Sequence, residues 1–514
     1  MALLLHHLLA GVPYAQVFGP LDRPISGVAY DSRQVVPGGL FVAIKGYHTD
    51  GHRYISQALE RGAVALVVDR RYWSGQPPAQ ATLVLTNDSR VALAPLAAAF
   101  YGYPARQLCT IGVTGTKGKS TTTDLVSQLL DGAGQTSGLI STVDFKIGPR
   151  RWANTTRQST PEALEVQALL AEMVAATCTS AVIEATSHAL SLKWQRLVGC
   201  CFDLAVFLNL SHEHLDYHGS FEQYRADKTQ LFALLAEEVP AGPPRSTRPW
   251  AIVNADDPNH SFFLAAAPAN AQRLTFGLQA SADVRGELMQ QTPTGSHMRI
   301  SSPWGRAEGW LPLPGRFNGT NALAALSVAL CQGIPLEQAL HTLAHVRGPR
   351  GRMQPVVCGQ PFAVLVDYAH SPDSFTQIFT MLRPLTQGRM LAVFGSAGER
   401  DRAKRAMQGE IAARYCELLF LTDEDPRGED REAILADIAA GAEQVGHRAG
   451  RDYHAIPDRT AAIHAALAAA RPGDLVLLLG KGHEGSIIYA DHSIPWDEAA
   501  VAQAALRALG YGER

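Results

Sequence analysis

The chain is poor in cysteine, and its basic and acidic residues nearly cancel. Each of these shortages removes a class of function. Seven cysteines in 514 residues include no Cys-x-x-Cys pair, and the adjacent Cys200 and Cys201 cannot close an unstrained bridge, so neither a disulfide framework nor a zinc site is expected. A reducing compartment fits that usage. The apolar opening from Met1 to Ala10 is interrupted by His6 and His7, lacks a basic flank and is far too short to span a bilayer, so a cytoplasmic protein without a membrane anchor is expected. Lys and Arg number 45 against 48 Asp and Glu, for a net charge of -3. That balance gives no basic field of the kind that releases counterions from nucleic acid, and small soluble substrates are expected instead. No repeat or low-complexity tract stands out, and the Pro-Ala-Gly-Pro-Pro-Arg-Ser-Thr-Arg stretch at 240–248 reads as a loop.

At roughly 150 residues per domain, this length predicts about three domains. Residues 1–107 alternate short apolar runs, Leu40–Ile44 and Ala63–Val68, with a helical stretch at Ser56–Arg61, as a small α/β domain does. In 108–347, strands are predicted at Leu108–Val113, Ser180–Glu184, Leu204–Leu208 and Pro249–Val253, with helices at Thr121–Leu130 and Pro161–Ala176. This is the pattern of a parallel sheet wrapped by helices. The run Val346-Arg347-Gly348-Pro349-Arg350-Gly351-Arg352 breaks it. Residues 348–514 then form a third α/β alternation, with buried strands at Phe362–Val366, Met390–Phe394, Leu418–Thr422 and Leu475–Leu479.

The strongest chemical signal is Gly115-Thr116-Lys117-Gly118-Lys119-Ser120-Thr121 after an apolar strand. Its glycines admit phosphate to backbone N–H groups, Lys119 reaches the β and γ oxygens, and the Ser120 hydroxyl suits Mg²⁺. The general pattern wants glycine at Val113, and Gly112 stands one residue early. Glu184, at the end of another strand, is a Mg²⁺ ligand candidate if that strand neighbours the phosphate turn. A second strand ends in His212-Glu213-His214-Leu215-Asp216-Tyr217-His218, dense in cation ligands but without His-Glu-x-x-His zinc spacing. In the last third, four strand ends carry charged loops: Asp367–Asp373, Gly395–Arg405, Asp423–Asp430 and Gly480–Gly485. They predict one polar cleft at the sheet edge.

Taken in order, Gly115–Thr121, Glu184–Leu190, His214–Gly219, Gly315–Asn318, Asp367–His370 and Gly480–Glu484 resemble the Mur ligases, and the likeness runs from about Asp31 to Glu484. It implies a three-domain α/β architecture: an N-terminal UDP-substrate domain, a central P-loop ATPase with a mostly parallel sheet, and a C-terminal Rossmann-like domain for the incoming amino acid. The implied reaction activates the D-Glu γ-carboxylate of UDP-MurNAc-L-Ala-D-Glu with ATP and joins it to a free diamino acid. A monomer is expected.

By the same resemblance, Gly115 to Thr121, Asn318, Asp367 and His370 contact ATP. Ser120, Glu184, His214 and Lys228 serve two Mg²⁺ sites, with Lys228 carbamylated; without the modification it would repel Mg²⁺. Lys119, Glu184, His214 and Lys228 form the catalytic set. Tyr30, Ser32, Tyr47, His48 and Thr49 contact the uridine nucleotide, and Ser159, Thr160, Thr186 and Arg196 the muramoyl dipeptide. Arg400, Glu424, Asp425, Pro426, Arg427, Gly480 and Glu484 hold the amino acid.

This chain also departs from the pattern. The family's Asn-Thr-Thr is matched by Gln158-Ser159-Thr160, with Asn154-Thr155-Thr156 a decoy four residues earlier, and Arg196 lies two residues later than expected after His188. The usual Asp-His is Glu213-His214. Glu424-Asp425-Pro426-Arg427 replaces the Asp-Asn-Pro-Arg of diaminopimelate-adding members. Arg427 favours meso-diaminopimelate through a bidentate carboxylate contact. Asp425 pulls towards L-lysine or L-ornithine, by pairing with Arg427 or by attracting a bare ammonium. A folylpolyglutamate or cyanophycin-type ligase, or a nucleotide-binding regulator without turnover, stays open.

Overall fold

The computed structural model describes residues 3–46, 49–156, 158–211, 215–237 and 248–512; the side chains of residues 215 and 216 are also outside the description. Two compact units emerge, one comprising Met1–Arg285 with Leu323–Pro335 and the other Gly286–Ala322 with Leu336–Arg514. Among the described residues no helix is long and apolar enough to cross a membrane.

The first unit contains two large sheets and a small antiparallel pairing of Leu3–Leu4 with Pro24–Ile25. The N-terminal one is built from β1 (Tyr14–Phe18), β2 (Val28–Ala29), β3 (Leu40–Val42), β4 (Ala65–Asp69) and β5 (Thr82–Thr86), in the order β1-β5-β4-β3-β2. All its neighbours run parallel except the edge pair β1-β5. Leu40, Val42, Ala65 and Val67 face one core and Phe41, Leu66 and Val68 the other, so the runs are apolar throughout because both faces are covered. Helix α1 (Ile55–Glu60) follows β3, and α2 (Ser89–Phe100) starts at Asp88, whose carboxylate accepts from the backbone N–H groups of Arg90 and Val91.

The second sheet is assembled from β6 (Cys109–Thr114), β7 (Ser137–Ile140), β8 (Asp144–Ile147), β9 (Arg150–Ala153), β10 (Ser180–Glu184), β11 (Leu204–Phe207), β12 (Trp250–Asn254) and β13 (Gln272–Gly277), in the order β9-β8-β7-β10-β6-β11-β12-β13. Helix α3 (Lys119–Gly132) follows β6, α4 (Ala163–Ala175) precedes β10, and α5 (Ser187–Leu190) and α6 (Phe221–Ala233) follow β10 and β11. The early glycine of the phosphate motif has a packing reason. A Cβ on Gly112 would lie 2.5 Å from Leu231 Cδ1 and 2.9 Å from Phe202 Cε1, so its small size lets α6 sit close to β6.

In the second unit an antiparallel hairpin, β14 (Gly295–Ser302) with β15 (Gly305–Leu311), packs against α7 (Leu336–Leu343). Its larger sheet consists of β16 (Gln354–Pro355), β17 (Ala363–Asp367), β18 (Met390–Phe394), β19 (Leu418–Leu421), β20 (Tyr453–Ala455) and β21 (Leu475–Leu479), in the order β16-β17-β21-β18-β19-β20. Only β16 is antiparallel to its neighbour. Leu365, Ala392 and Leu477 line the core on one face, and Val364, Leu391 and Val476 the core on the other. The ends of β17, β21, β18 and β19 therefore share one edge, as the four charged loops predict.

Candidate active site

Strands β10 and β6 are parallel neighbours, with Glu184 in register with Val113. That pairing brings Glu184 to the phosphate turn, where its Oε2 accepts from Ser120 Oγ at 2.9 Å and from Thr142 N at 2.9 Å. Gly118, at φ 89°, turns the chain into α3, a left-handed conformation that glycine adopts without steric cost. Asn209, after β11, braces the turn: its carbonyl accepts from Thr116 N at 2.8 Å and its Oδ1 from Lys117 N at 2.9 Å. Lys119 Nζ folds back on Gly115 O at 3.0 Å and Thr116 O at 2.9 Å, and Thr121 is buried in the first turn of α3.

Helix α6 ties this turn to the rest of the site through residues spaced three and four apart, hence on one face. The hydroxyls of Tyr224 and Thr116 lie 3.1 Å apart, and Lys228 Nζ donates to Gly115 O at 2.8 Å. Asp227 Oδ2 is 2.6 Å from His218 Nδ1, and His218 Nε2 is 3.1 Å from Ser187 Oγ. Lys228 is buried, so two ammonium groups, Lys119 and Lys228, meet at one carbonyl. The Ser120 hydroxyl and Glu184 carboxylate are hard oxygen donors suited to Mg²⁺, and a carbamate on Lys228 would add more. His214, with His212 and Glu213, lies outside the described residues.

Among the residues expected to hold the dipeptide, Thr160 Oγ1 donates to Glu184 O at 2.6 Å and sits 3.1 Å from Thr186 Oγ1. Arg196, two residues late in sequence, still reaches this cluster: it donates to Thr160 O at 3.1 Å, Gln158 Oε1 at 3.1 Å and Glu162 Oε1 at 2.7 Å. The decoy Asn154 is a brace, with its Nδ2 donating to Ser141 O and Gln158 O. Ser159 is half-buried in the loop that Asn154 holds. Tyr30 OH donates to Glu165 Oε1 at 2.7 Å, and burial and then the Glu165 charge raise the phenol above its ordinary value. Ser32 is buried and donates to Gln57 Oε1 at 2.6 Å. Thr49 is exposed and its carbonyl accepts from Gly46 N; Tyr47 and His48 lie outside the described residues.

Asn318, Asp367, His370 and the residues predicted for the amino acid belong to the second unit. Asn318 Nδ2 donates to Pro314 O at 2.8 Å. Asp367 accepts from Met353 N and Ala369 N, with its carboxyl raised by burial, and burial lowers the His370 imidazole. Arg400 is exposed.

The Glu424–Arg427 loop departs from the first of the pairings expected for Asp425, the one with Arg427. Asp425 Oδ1 accepts from Lys481 Nζ at 2.8 Å and Ile488 N at 3.0 Å, so its charge is matched by Lys481, not by Arg427. Lys481 also donates to Glu484 Oε2 at 2.7 Å, and Tyr368 OH donates to Glu484 Oε1 at 3.3 Å. Two polar atoms of the loop, Arg427 Nε and Glu424 Oε2, are buried without a hydrogen-bond partner among the described residues. Burial pushes the Glu424 carboxyl up to about 7, against the pull of Lys404, Lys481 and Arg459. A Cβ on Gly480 would lie 2.9 Å from Glu424 Oε2, and one on Gly398 would lie 2.0 Å from Pro426 O, so main chain closes tightly around the loop. Sequence reasoning missed Lys481, Tyr224 and Asp227 as partners. The only signal for the latter two was their place one turn and one residue before Lys228.

Comparison with known proteins gives a consistent picture. Residues 24–101 match the Mur ligase family catalytic domain, 113–329 the Mur ligase middle domain, and 351–482 the Mur ligase glutamate ligase domain. The chain is 58% identical over 508 residues to the UDP-N-acetylmuramyl-tripeptide synthetase of Roseiflexus sp. (strain RS-1), covering 99% of both. It is 40% identical over 491 residues to the UDP-N-acetylmuramoyl-L-alanyl-D-glutamate--2,6-diaminopimelate ligase of Syntrophomonas wolfei subsp. wolfei, covering 95% of this chain and 96% of that one. A solved structure of a UDP-N-acetylmuramoyl-L-alanyl-D-glutamate--2,6-diaminopimelate ligase superposes with a TM-score of 0.73 at 29% identity, covering 99% of this chain and 100% of that one.

Proposed function

The chain belongs to the Mur ligase family, and from that membership we propose that it joins a diamino acid to the D-Glu γ-carboxylate of UDP-MurNAc-L-Ala-D-Glu in peptidoglycan precursor synthesis, with ATP as the activating substrate. The observation that carries this reading is the position of Glu184. Its carboxylate bonds the phosphate-turn hydroxyl of Ser120 and its carbonyl bonds Thr160 of the substrate loop. One strand end thus connects the group that handles phosphate with the group that handles the acceptor. The domain limits that go with the reading are 1–107 for the UDP-substrate domain, 108–347 for the ATPase and 348–514 for the amino-acid domain.

A carboxylate is a poor electrophile, and transfer of the γ-phosphoryl group supplies its leaving group. The amine of the diamino acid then attacks the acyl phosphate carbon, phosphate departs, and a C–N bond forms. Lys119 offsets the charge that gathers as two anionic reactants approach. Ser120, Glu184, His214 and a carbamylated Lys228 would hold Mg²⁺, which would supply charge neutralisation for the phosphate oxygens that the carboxylate approaches. Arg196, held by Thr160 and Glu162, orients the dipeptide beside Thr186.

For the amino acid, meso-diaminopimelate is favoured over L-lysine and L-ornithine. Lys481 pairs with Asp425, and the buried Nε of Arg427 has no acceptor among the described residues, an arrangement that suits a ligand carboxylate and penalises an amino acid without one. Glu424 offers the complementary acceptor for an ammonium. The test incubates purified protein with ATP, Mg²⁺ and UDP-MurNAc-L-Ala-D-Glu, offers each diamino acid separately, and weighs the products by mass spectrometry. Product with diaminopimelate alone is expected. Product with lysine or ornithine in its place would overturn the role of Arg427 and leave the ligase standing; no product with any would overturn the reaction.

A further inference from the structure

Two segments proposed to hold the diamino acid are joined by a carboxylate outside the proposed contacts. Glu429 lies two residues after Arg427, and its side chain reaches across to the Gly395–Arg405 loop. It accepts from the backbone N–H of Glu399, the residue before Arg400. Its Oε2 accepts from Arg402 and from Arg405, each at 3.0 Å. Arg405 is fully buried, and its guanidinium also donates to Asp437 Oδ2 at 3.0 Å and to Ala397 O at 3.4 Å. The ordinary role of an acidic residue just before the helix Arg431–Gln444 is to cap it, but Asp430 does that, accepting from Glu432 N at 2.8 Å and Ala433 N at 3.3 Å. The Glu429 carboxylate is therefore directed at the neighbouring loop and not at its own helix.

Both segments need such a tie. Arg427 has φ 52° and Glu399 φ 55°, left-handed backbone that a residue with a Cβ keeps only when its surroundings impose it. Arg427 follows Pro426 in a turn closed by Glu429 N on Pro426 O at 3.2 Å, and a positive φ at that place is ordinarily filled by Gly, Asn or Asp. An arginine there strains the backbone to aim its side chain. Main chain holds the turn in place, with Gly398 N donating to Asp425 O at 2.8 Å and Arg427 N to Ile488 O at 3.0 Å. At Glu399 the N–H is held by the Glu429 carboxylate. A Cβ on Gly428 would lie 2.7 Å from Glu399 Oε1, so the two strained segments touch directly.

We propose that Glu429 is a positioning residue for recognition of the diamino acid: pinned by Arg405, it locks the backbone of Glu399 and Arg400 to the turn that presents Arg427. This deepens the proposed function and rests on it. Recognition of a carboxylate by guanidinium groups depends on their alignment, and a misplacement of about 1 Å can cost about a hundredfold in rate.

The test is steady-state kinetics of the full chain with ATP and UDP-MurNAc-L-Ala-D-Glu saturating and diaminopimelate varied, then L-lysine in its place, on wild type, Glu429→Ala and Glu429→Gln, with thermal melting of each. Both variants leave Arg405 paired with Asp437, so folded protein is expected. Glu429→Ala should raise the KM for diaminopimelate about tenfold or more, leave the KM for ATP within about twofold, and narrow the preference for diaminopimelate over lysine. Glu429→Gln keeps an acceptor for the Glu399 N–H but loses the charge that pairs both arginines, and its KM should fall between the other two. An unchanged KM for diaminopimelate in Glu429→Gln, whether Glu429→Ala is unchanged or unfolds, would overturn the positioning role and leave the ligase standing. So would a rise for diaminopimelate and ATP alike. Wild type that forms no tripeptide with any diamino acid would overturn the proposed reaction itself.

Discussion

At the scale of single residues, the site brings charged groups into places where water cannot reach them, and two of these groups give measurable consequences. Lys228 is buried, with its Nζ on the carbonyl that Lys119 also uses and 4.8 Å from the Tyr224 ring centroid, and it is the residue we propose to be carbamylated. Lys228→Ala is expected to cut ligase turnover by about 10² or more, and millimolar formate or acetate should restore part of it by supplying the missing oxygens. Full activity without rescue would remove the carbamate from the mechanism. Glu424 is the second case, with its carboxyl raised by burial from 4.5 to about 7. Below pH 4.5 the group is protonated folded or unfolded and adds no penalty. Between 4.5 and about 7 the folded chain keeps a proton that the unfolded chain has lost, so stability falls as pH rises, by roughly 3 kcal/mol in all. Glu424→Gln should therefore melt above wild type, with a gap that widens from pH 5 to 7.5 and then levels. A gap independent of pH would show that Glu424 does not titrate in that window.

At the scale of elements, the amino-acid loop depends on how closely two helices approach. Helices α8 (Ala403–Tyr415) and α9 (Arg431–Gln444) cross with glycines facing backbone in both directions. A Cβ on Gly409 would stand 1.9 Å from Ile438 O, and one on Gly441 would stand 1.8 Å from Ala406 O. Gly441→Ala must push the helices apart, at a cost of about 3 kcal/mol. Because α9 begins four residues after Arg427, the KM for the diamino acid should rise while the KM for ATP stays within about twofold. An unchanged melting temperature would mean the crossing is looser than these distances require. Most elements of this kind were legible in the sequence. Apolar runs buried on both faces announced β6, β10, β17, β18 and β21 to within a residue or so, because period and composition are local properties. The antiparallel strands β7 to β9 and β14 to β15 were not announced. β9, β14 and β15 are partly exposed, as in Arg150–Ala153, β7 and β8 are buried runs of only four residues, and the pairing of all five depends on partners that local pattern does not name. The site divides in the same way. Glu184 and the phosphate turn could be read from motif and strand position, whereas the Asp425–Lys481 pair joins residues 56 apart, a partner that no local pattern names.

At the scale of the whole molecule, the question is which parts stand alone. The sheet from β16 to β21 has a hydrophobic core on each face, and every buried residue of both cores lies between Met353 and Leu506. Such a layer sandwich meets the requirement for independent folding, since each apolar face is covered from within the segment. The phosphate turn, Glu184 and Lys228 all lie outside it. A fragment of residues 348–514 is therefore expected to be soluble, to unfold in one cooperative transition and to show native-like circular dichroism, yet to hydrolyse no ATP and form no tripeptide. It should still bind a diamino acid, because Glu424, Arg427, Lys481 and Glu484 travel with it. Saturation-transfer NMR with diaminopimelate on the fragment, and on its Arg427→Ala variant, tests both halves. Binding by the fragment that the substitution abolishes would place amino-acid choice within this segment. A folded fragment that binds nothing would mean that the pocket needs groups from the rest of the chain, and Arg427 alone would then no longer account for specificity.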